Sequence, residues 1–338
     1  MINIPFSVAR TLLCSPRHGK VSVILALLCI ACAGCRVSDI LPAGSSGSAS
    51  ASSGVTVSDE TLMPGVVHRV ETADNGTQVD IIDTDLSAAQ VVPKVIASHV
   101  ELSGGKVAAA ALTPAEWQLQ THAVAVVNGG YFGEEHADGT KDVVGLLVQA
   151  GRVRHAAPPL RGAGSPGVQA GYYMRSAFGV MSDGTPSITW AGTEVGHPQR
   201  VLSYAHPTAK VVRGGTEWPV WEAVGCGPTL YQHGRSVVTA RQERLVSPEE
   251  RPRTFLAYDV VAGVPAHFVI GVAASATYSE VATFLKQYFN KYYNSNPEAA
   301  MCVDGGSSTQ LTYLGQDGVH SPIDTGIAVP DCIALCRK

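Results

Sequence analysis

Two five-residue apolar runs, residues 123–127 and 299–303, each stop at a polar residue followed by two glycines: Asn128-Gly129-Gly130 and Asp304-Gly305-Gly306. A run this short is too brief for a buried helix, whereas a strand covered on both faces needs only about four to eight apolar residues. Glycine after such a strand lets the backbone turn sharply and lets N–H groups approach a ligand closely. The chain is therefore constrained to short buried strands that end in open turns.

Other segments follow the same rule. Residues 79–83 and 91–96 are β-branched runs separated by polar residues, and 145–149, 176–181, 220–225, 254–261 and 266–272 are further apolar runs, several of them followed by Gly, Asp-Gly or Gly-Pro turns; all predict strands. Thr113-Pro114-Ala115-Glu116 has the form of a capping box with proline in the first turn, starting a helix that ends near His122. A second helix is predicted over 279–293, where Val281, Phe284, Leu285 and Tyr288 recur at helical spacing as core contacts. Residues 152–171, rich in Pro, Gly and Arg, read as a long loop. With 35 Gly, 20 Pro and only 15% charged residues, long surface helices are disfavoured. The expectation is an α+β or mixed α/β fold, a strand-rich single domain over 61–338 with a mixed β-sheet and few helices.

The first 60 residues differ in kind. Arg10, Arg17 and Lys20 precede the apolar run 21–33, the pattern of an export signal over 1–34. The run is shorter than the roughly 20 residues of a spanning helix. Ala33-Gly34-Cys35 resembles a bacterial lipobox, with Cys32 where leucine is usual, so Cys35 is the expected lipidation site. Arg36, rather than Asp, follows it, which by resemblance to lipoproteins favours the outer membrane; a plain signal peptide and a soluble periplasmic protein are the alternative. Residues 35–60 are rich in Ser, Gly and Ala and form a flexible tether, long enough to hold a domain roughly 25 Å from a bilayer.

Net charge is −4 with no basic run, which gives no sign of nucleic-acid binding. Cys226, Cys302, Cys332 and Cys336 remain after the export segment and Cys35 are set aside, and export would let them form two disulfides. They contain no CxxC, and His197, His206, His233 and His267 are scattered singly, so zinc or another transition metal is disfavoured. No cofactor is expected; Asp304 with nearby carbonyls leaves room for a structural Ca²⁺.

Both glycine turns join exposed amides to polar side chains, an arrangement that cradles anions. Arg253-Thr254, at the head of a predicted strand, adds a planar guanidinium and a hydroxyl suited to phosphate. Cys226, beside Gly227-Pro228, lacks a sequence-adjacent histidine to activate it as a nucleophile.

Asn128-Gly129-Gly130-Tyr131-Phe132, Gly225-Cys226-Gly227-Pro228-Thr229-Leu230, Pro252-Arg253-Thr254 and Asp304-Gly305-Gly306-Ser307-Ser308 occur in an order and spacing that resemble the phosphodiester glycosidase family, from about Pro64 to Asp331. Ser307 stands where many members have a third glycine, and Ala257 where glycine is common. The resemblance implies hydrolysis of a sugar-1-phosphodiester, GlcNAc-1-phosphodiester-like, at its glycosidic bond, releasing free sugar and a phosphomonoester. It implies that Arg253, Thr254, Gly129, Gly130, Tyr131, Gly305, Gly306, Ser307 and Ser308 hold substrate. Asp304 would then serve as base, nucleophile or electrostatic stabiliser, and Asn128 would orient sugar hydroxyls or water. Ordinary glycosidase logic asks for a second carboxylate; Glu222, Glu243 and Asp259 are candidates, with Glu243 kept in the catalytic set. A non-catalytic module binding sugar-phosphate polymers, and a phosphodiesterase cutting P–O, stay open.

Overall fold

The structure, a computed structural model, describes residues 59–98, 100–103, 106–162, 171–212, 214–245 and 249–338. The export segment, Cys35 and nearly all of the tether lie outside the described residues. The described residues belong to one compact unit, Val55–Lys338.

Strands dominate, with two α-helices, Pro114–Thr121 and Tyr278–Tyr293. The first begins where the sequence predicts, and the second one residue before the predicted start at 279. Thr113 and Thr277 each accept a bond from the N3 amide while Glu116 and Glu280 return one to the cap, satisfying amides that a helix start leaves open. The strand-rich, helix-poor expectation is met. The mixed β-sheet is not: every strand pairing among the described residues is antiparallel. Antiparallel neighbours need no helical crossover, which is why so few helices suffice.

Three sheets matter for the site. An eight-stranded sheet runs Glu60–Met63, Val66–Thr72, Gln78–Asp85, Val264–Ala276, Arg251–Val261, Ala299–Cys302, Thr229–Gln232, Arg235–Ser236. Its central strand is covered on both faces: Phe255 and Ala257 meet Val281, Phe284, Leu285 and Phe289 of the long helix, while Leu256 and Tyr258 join the main core with Phe178, Val224 and Ile333. Such double burial explains the near-continuous apolar run there. A five-stranded sheet runs Val319–Ile323, Leu311–Leu314, Ala125–Asn128, Asp331–Arg337, Val91–Ala97. A seven-stranded sheet runs Arg152–His155, Leu147–Gln149, Glu222–Cys226, Arg175–Val180, Pro186–Glu194, His197–Tyr204, Thr216–Glu217.

Strands Arg152–His155 and Leu160–Gly162 occupy part of the stretch predicted as loop. The four cysteines are corrected as well. Cys226, Cys302, Cys332 and Cys336 are buried and free. Cys332 and Cys336 share one strand, Asp331–Arg337, and four residues of extended chain separate their Cα atoms by about 13 Å, beyond disulfide reach.

Candidate active site

Register brings the motifs together. Asn128 pairs with Cys332 across the five-stranded sheet, so Asp331 lies beside Gly129. Phe255 pairs with Cys302 in the eight-stranded sheet, and two steps on, Arg253 reaches the level of Asp304. Ser176 pairs with Cys226 in the seven-stranded sheet, which puts Arg175 opposite Gly227. Three sheets thus deliver strand ends to one place.

Asn128 is the knot among them. It is fully buried; its Nδ2 donates to the Asp304 carbonyl at 2.8 Å, and its Oδ1 accepts from Thr254 Oγ1 at 2.7 Å and from the Gln310 N–H at 3.1 Å. Thr254 is fully buried too. The expectation that these side chains touch substrate is corrected: they tie the loops, because their polar atoms satisfy one another in a dry interior.

The Gly129-Gly130 turn is likewise turned inward. The Gly130 N–H donates to Asp331 Oδ1 at 2.6 Å, and the Gly129 carbonyl accepts from the Asp304 N–H at 3.2 Å. A Cβ on Gly129 would stand 2.1 Å from Asp331 Oδ1. Glycine is required there because a carboxylate fills the space, so the amide cradle expected at Gly130 is a carboxylate clamp.

Asp331 is the residue sequence reasoning missed. It is 1% exposed, its Oδ2 has no hydrogen-bond partner, and burial, with the neighbouring charge of Asp304, pushes its carboxyl up to about 6. Asp304 is half-buried; burial raises it also to about 6, against bonds from Ser308 and the Gly305 N–H. Two carboxyl groups raised by burial, one accessible and one enclosed, thus flank the same turn. The signal available beforehand was a lone carboxylate heading the apolar strand Asp331–Arg337.

The other proposed carboxylates lie elsewhere. Glu243 is fully buried and accepts from Ser176 N–H and Oγ, Trp190 Nε1, the Thr229 N–H and Thr239 Oγ1. That is a structural staple, enclosed by its own donors and shut off from solvent. It also fixes the turn above it: a Cβ on Gly227, whose φ is +131°, would fall 2.4 Å from Glu243 Oε2. Glu222 accepts from the Val95 N–H, and Asp259 from His267 and Ser295; neither joins the Asp304 group.

Arg253 is corrected in the same sense. It is 3% exposed, donates from Nε to the Ala276 carbonyl at 3.0 Å and from Nη2 to the Glu249 carbonyl at 2.8 Å, and stacks 4.0 Å over Tyr278. It braces the wall beneath Gly305. Gly305, Gly306 and Ser307 keep some exposure, with Gly306 at φ +64° and Ser307 fully at the surface, so this turn remains open as expected.

Arg175 is a second cation, opposite Gly227. Its Nη1 is buried without a hydrogen-bond partner among the described residues, and its guanidinium lies 6.0 Å from the Tyr131 ring and 5.8 Å from that of Tyr173. Tyr131 donates to the Gly227 carbonyl at 2.8 Å. Its phenol is raised well above the usual range by burial and by Cys226, Tyr278 and Asp304, with Arg175 acting in the opposite direction. The Cys226 thiol is also pushed well up, by burial first and then by Asp304 and Asp331, which disqualifies it as a nucleophile. A cavity of about 400 Å³ opens beside this group, with Tyr131, Arg175 and Cys226 in its wall. Among the described residues no group of three or more His, Cys, Asp or Glu could hold a metal ion.

Comparison with known proteins adds a family. The model of the phosphodiester glycosidase family matches residues 121–336, a span containing every site residue named above. No curated protein matches the chain. Among solved structures, a hypothetical protein from Synechocystis is similar, with a TM-score of 0.48 at 15% identity, covering 80% of this chain and 62% of that one. The zebrafish N-acetylglucosamine-1-phosphodiester alpha-N-acetylglucosaminidase catalytic domain, auto-inhibited by its pro-peptide, gives 0.47 at 14% identity, covering 82% and 83%.

Proposed function

The chain belongs to the phosphodiester glycosidase family, and on that premise we propose that it hydrolyses the glycosidic bond of a sugar-1-phosphodiester at the Asp304–Asp331 pair. The observation that carries the reading is the convergence of Asp304 and Asp331 on the Gly129-Gly130 turn, with the Arg175 guanidinium 6.0 Å from the ring of the adjoining Tyr131. A phosphomonoester is a far better leaving group than an alkoxide, so demand for a general acid falls. What the site must supply is an anion binder and a carboxylate near the anomeric carbon.

In this reading Arg175 and the open Gly305-Gly306-Ser307 turn hold the phosphate. Asp304 takes a proton from water as the water oxygen bonds to the anomeric carbon, or itself bonds there first and the glycosyl ester is then hydrolysed by water, which returns the Asp304 carboxylate. The C–O bond to phosphate breaks, its electron pair stays on the phosphate oxygen, and free sugar and a phosphomonoester result. Asp331 positions Asp304 through the Gly129-Gly130 turn, and burial keeps the Asp304 carboxyl basic. No cofactor enters this scheme. The N-terminal pattern supports export and anchoring at Cys35, with the envelope as the setting and a GlcNAc-like sugar phosphodiester or phosphate-bearing glycan as substrate.

Hydrolysis of a GlcNAc-1-phosphodiester in ¹⁸O water tests the bond. Cleavage at carbon leaves the phosphomonoester unlabelled by ³¹P NMR; label on phosphorus would show P–O cleavage, and binding without turnover would show a non-catalytic module.

A further inference from the structure

We infer that the alcohol on the far side of the phosphate is apolar, an alkyl or prenyl chain, and that the cavity beside Arg175 receives it. The inference rests on the hydrolase reading above. It is carried by the lining: Leu146, Pro158, Met174, Ala177, Ala191 and Leu245 are among the apolar residues that predominate in the wall of this 400 Å³ space. The polar groups in the wall are mostly spent. Ser176 Oγ is bonded to Glu243 and Thr229, the Tyr131 hydroxyl to the Gly227 carbonyl, and His155 Nδ1 to the Gly145 carbonyl.

A sugar placed here would bury several hydroxyls against few partners, which is costly. A hydrocarbon chain loses nothing in the same space, and each buried methylene is worth about fourfold in binding. Arg175 lines the cavity and carries the unpartnered Nη1, so a phosphate held there would direct its chain into the apolar space. Tyr131 and Cys226, also in the wall, both feel the charge of Asp304. The sugar then lies on the Asp304 side and the chain on the other, an arrangement that suits lipid-linked sugar phosphates.

The test compares octyl and methyl esters of GlcNAc-1-phosphate with the full chain, below the concentration at which the octyl ester forms micelles. The expected result is kcat/KM at least tenfold higher for the octyl ester, chiefly through KM, and inhibition by octyl phosphate at least tenfold stronger than by methyl phosphate. Ala156, a partly buried wall residue, provides the second arm: Ala156→Trp should abolish the octyl preference while the methyl ester is cleaved as before. Equal kcat/KM for the two esters, or a methyl preference, overturns the apolar aglycone and leaves the hydrolase reading standing. Cleavage of neither ester overturns both.

Discussion

Asp331 Oδ1 occupies the space that a side chain on Gly129 would need, 2.1 Å from the ideal Cβ position. The two residues lie 202 positions apart in the chain, yet each dictates the other's identity, and the turn that carries Asp304 hangs from the Gly129 carbonyl.

Gly129→Ala should therefore displace either the carboxylate or the turn. Overpacking of this kind costs typically about 1–3 kcal/mol, and the strain falls on the site itself. Thermal unfolding and hydrolysis assays at a temperature where the variant stays folded should show both a lower Tm and a large loss of kcat. A variant with normal activity would mean that the contact is slack.

Asp331→Asn separates charge from shape, since the amide oxygen can still accept from Gly130. Asp331 is raised from 3.8 to about 6 in the folded chain, so the folded state holds its proton more tightly than the unfolded one. Its ionisation costs nothing below pH 4, costs progressively more between 4 and 6, and has its full cost above 6. That full cost is on the order of 3 kcal/mol. The variant should melt several degrees higher than the wild type at pH 7.5 and equally at pH 4, with reduced activity. A lower Tm at pH 7.5 would contradict the buried-charge account.

The two arginines should part company. Arg175→Ala removes a guanidinium held by the Tyr131 and Tyr173 rings, with Nη1 making no hydrogen bond among the described residues, so Tm should fall less than for Arg253→Ala while kcat/KM falls about 100-fold, and octyl phosphate inhibition weakens. Arg253→Ala leaves the Ala276 and Glu249 carbonyls without their donors and empties the face of Tyr278, a loss on the order of 3 kcal/mol. Urea denaturation beside steady-state kinetics distinguishes them. The reverse pattern would restore Arg253 as the phosphate ligand.

Glu243→Gln replaces an acceptor of five hydrogen bonds with a group that must turn donors toward donors. Destabilisation of about 2–4 kcal/mol is expected, with residual activity in whatever fraction remains folded. Full stability with abolished turnover would make Glu243 catalytic after all.

The sequence disclosed what is local. Capping boxes at Thr113 and the apolar spacing of Val281, Phe284, Leu285 and Tyr288 depend on neighbours within four residues, and both helices were legible. The strands ending at Asn128 and before Asp304 were legible because short apolar runs bounded by glycine admit little else. What could not be read was which polar groups face inward. Asn128, Thr254 and Arg253 have the chemistry of ligands, but the strand register of Phe255 on Cys302 turns them toward one another. Asp331, beyond its place at the head of a strand, and Arg175 carry no local signal; the pairing of the next residues, Cys332 with Asn128 and Ser176 with Cys226, places them beside the glycine turns. The antiparallel sheets and the isolated cysteines were hidden for the same reason: pairing partners lie too far apart in sequence for local pattern to identify them.

Asp304→Asn tests the central claim most directly, with release of free sugar from a GlcNAc-1-phosphodiester as the readout. The substitution keeps the shape and removes a carboxylate raised to about 6, so kcat should fall at least a thousandfold, with Tm at pH 7.5 unchanged or higher. In the wild type, kcat should rise with pH through about 6. Sugar release by Asp304→Asn at the wild-type rate would contradict the account.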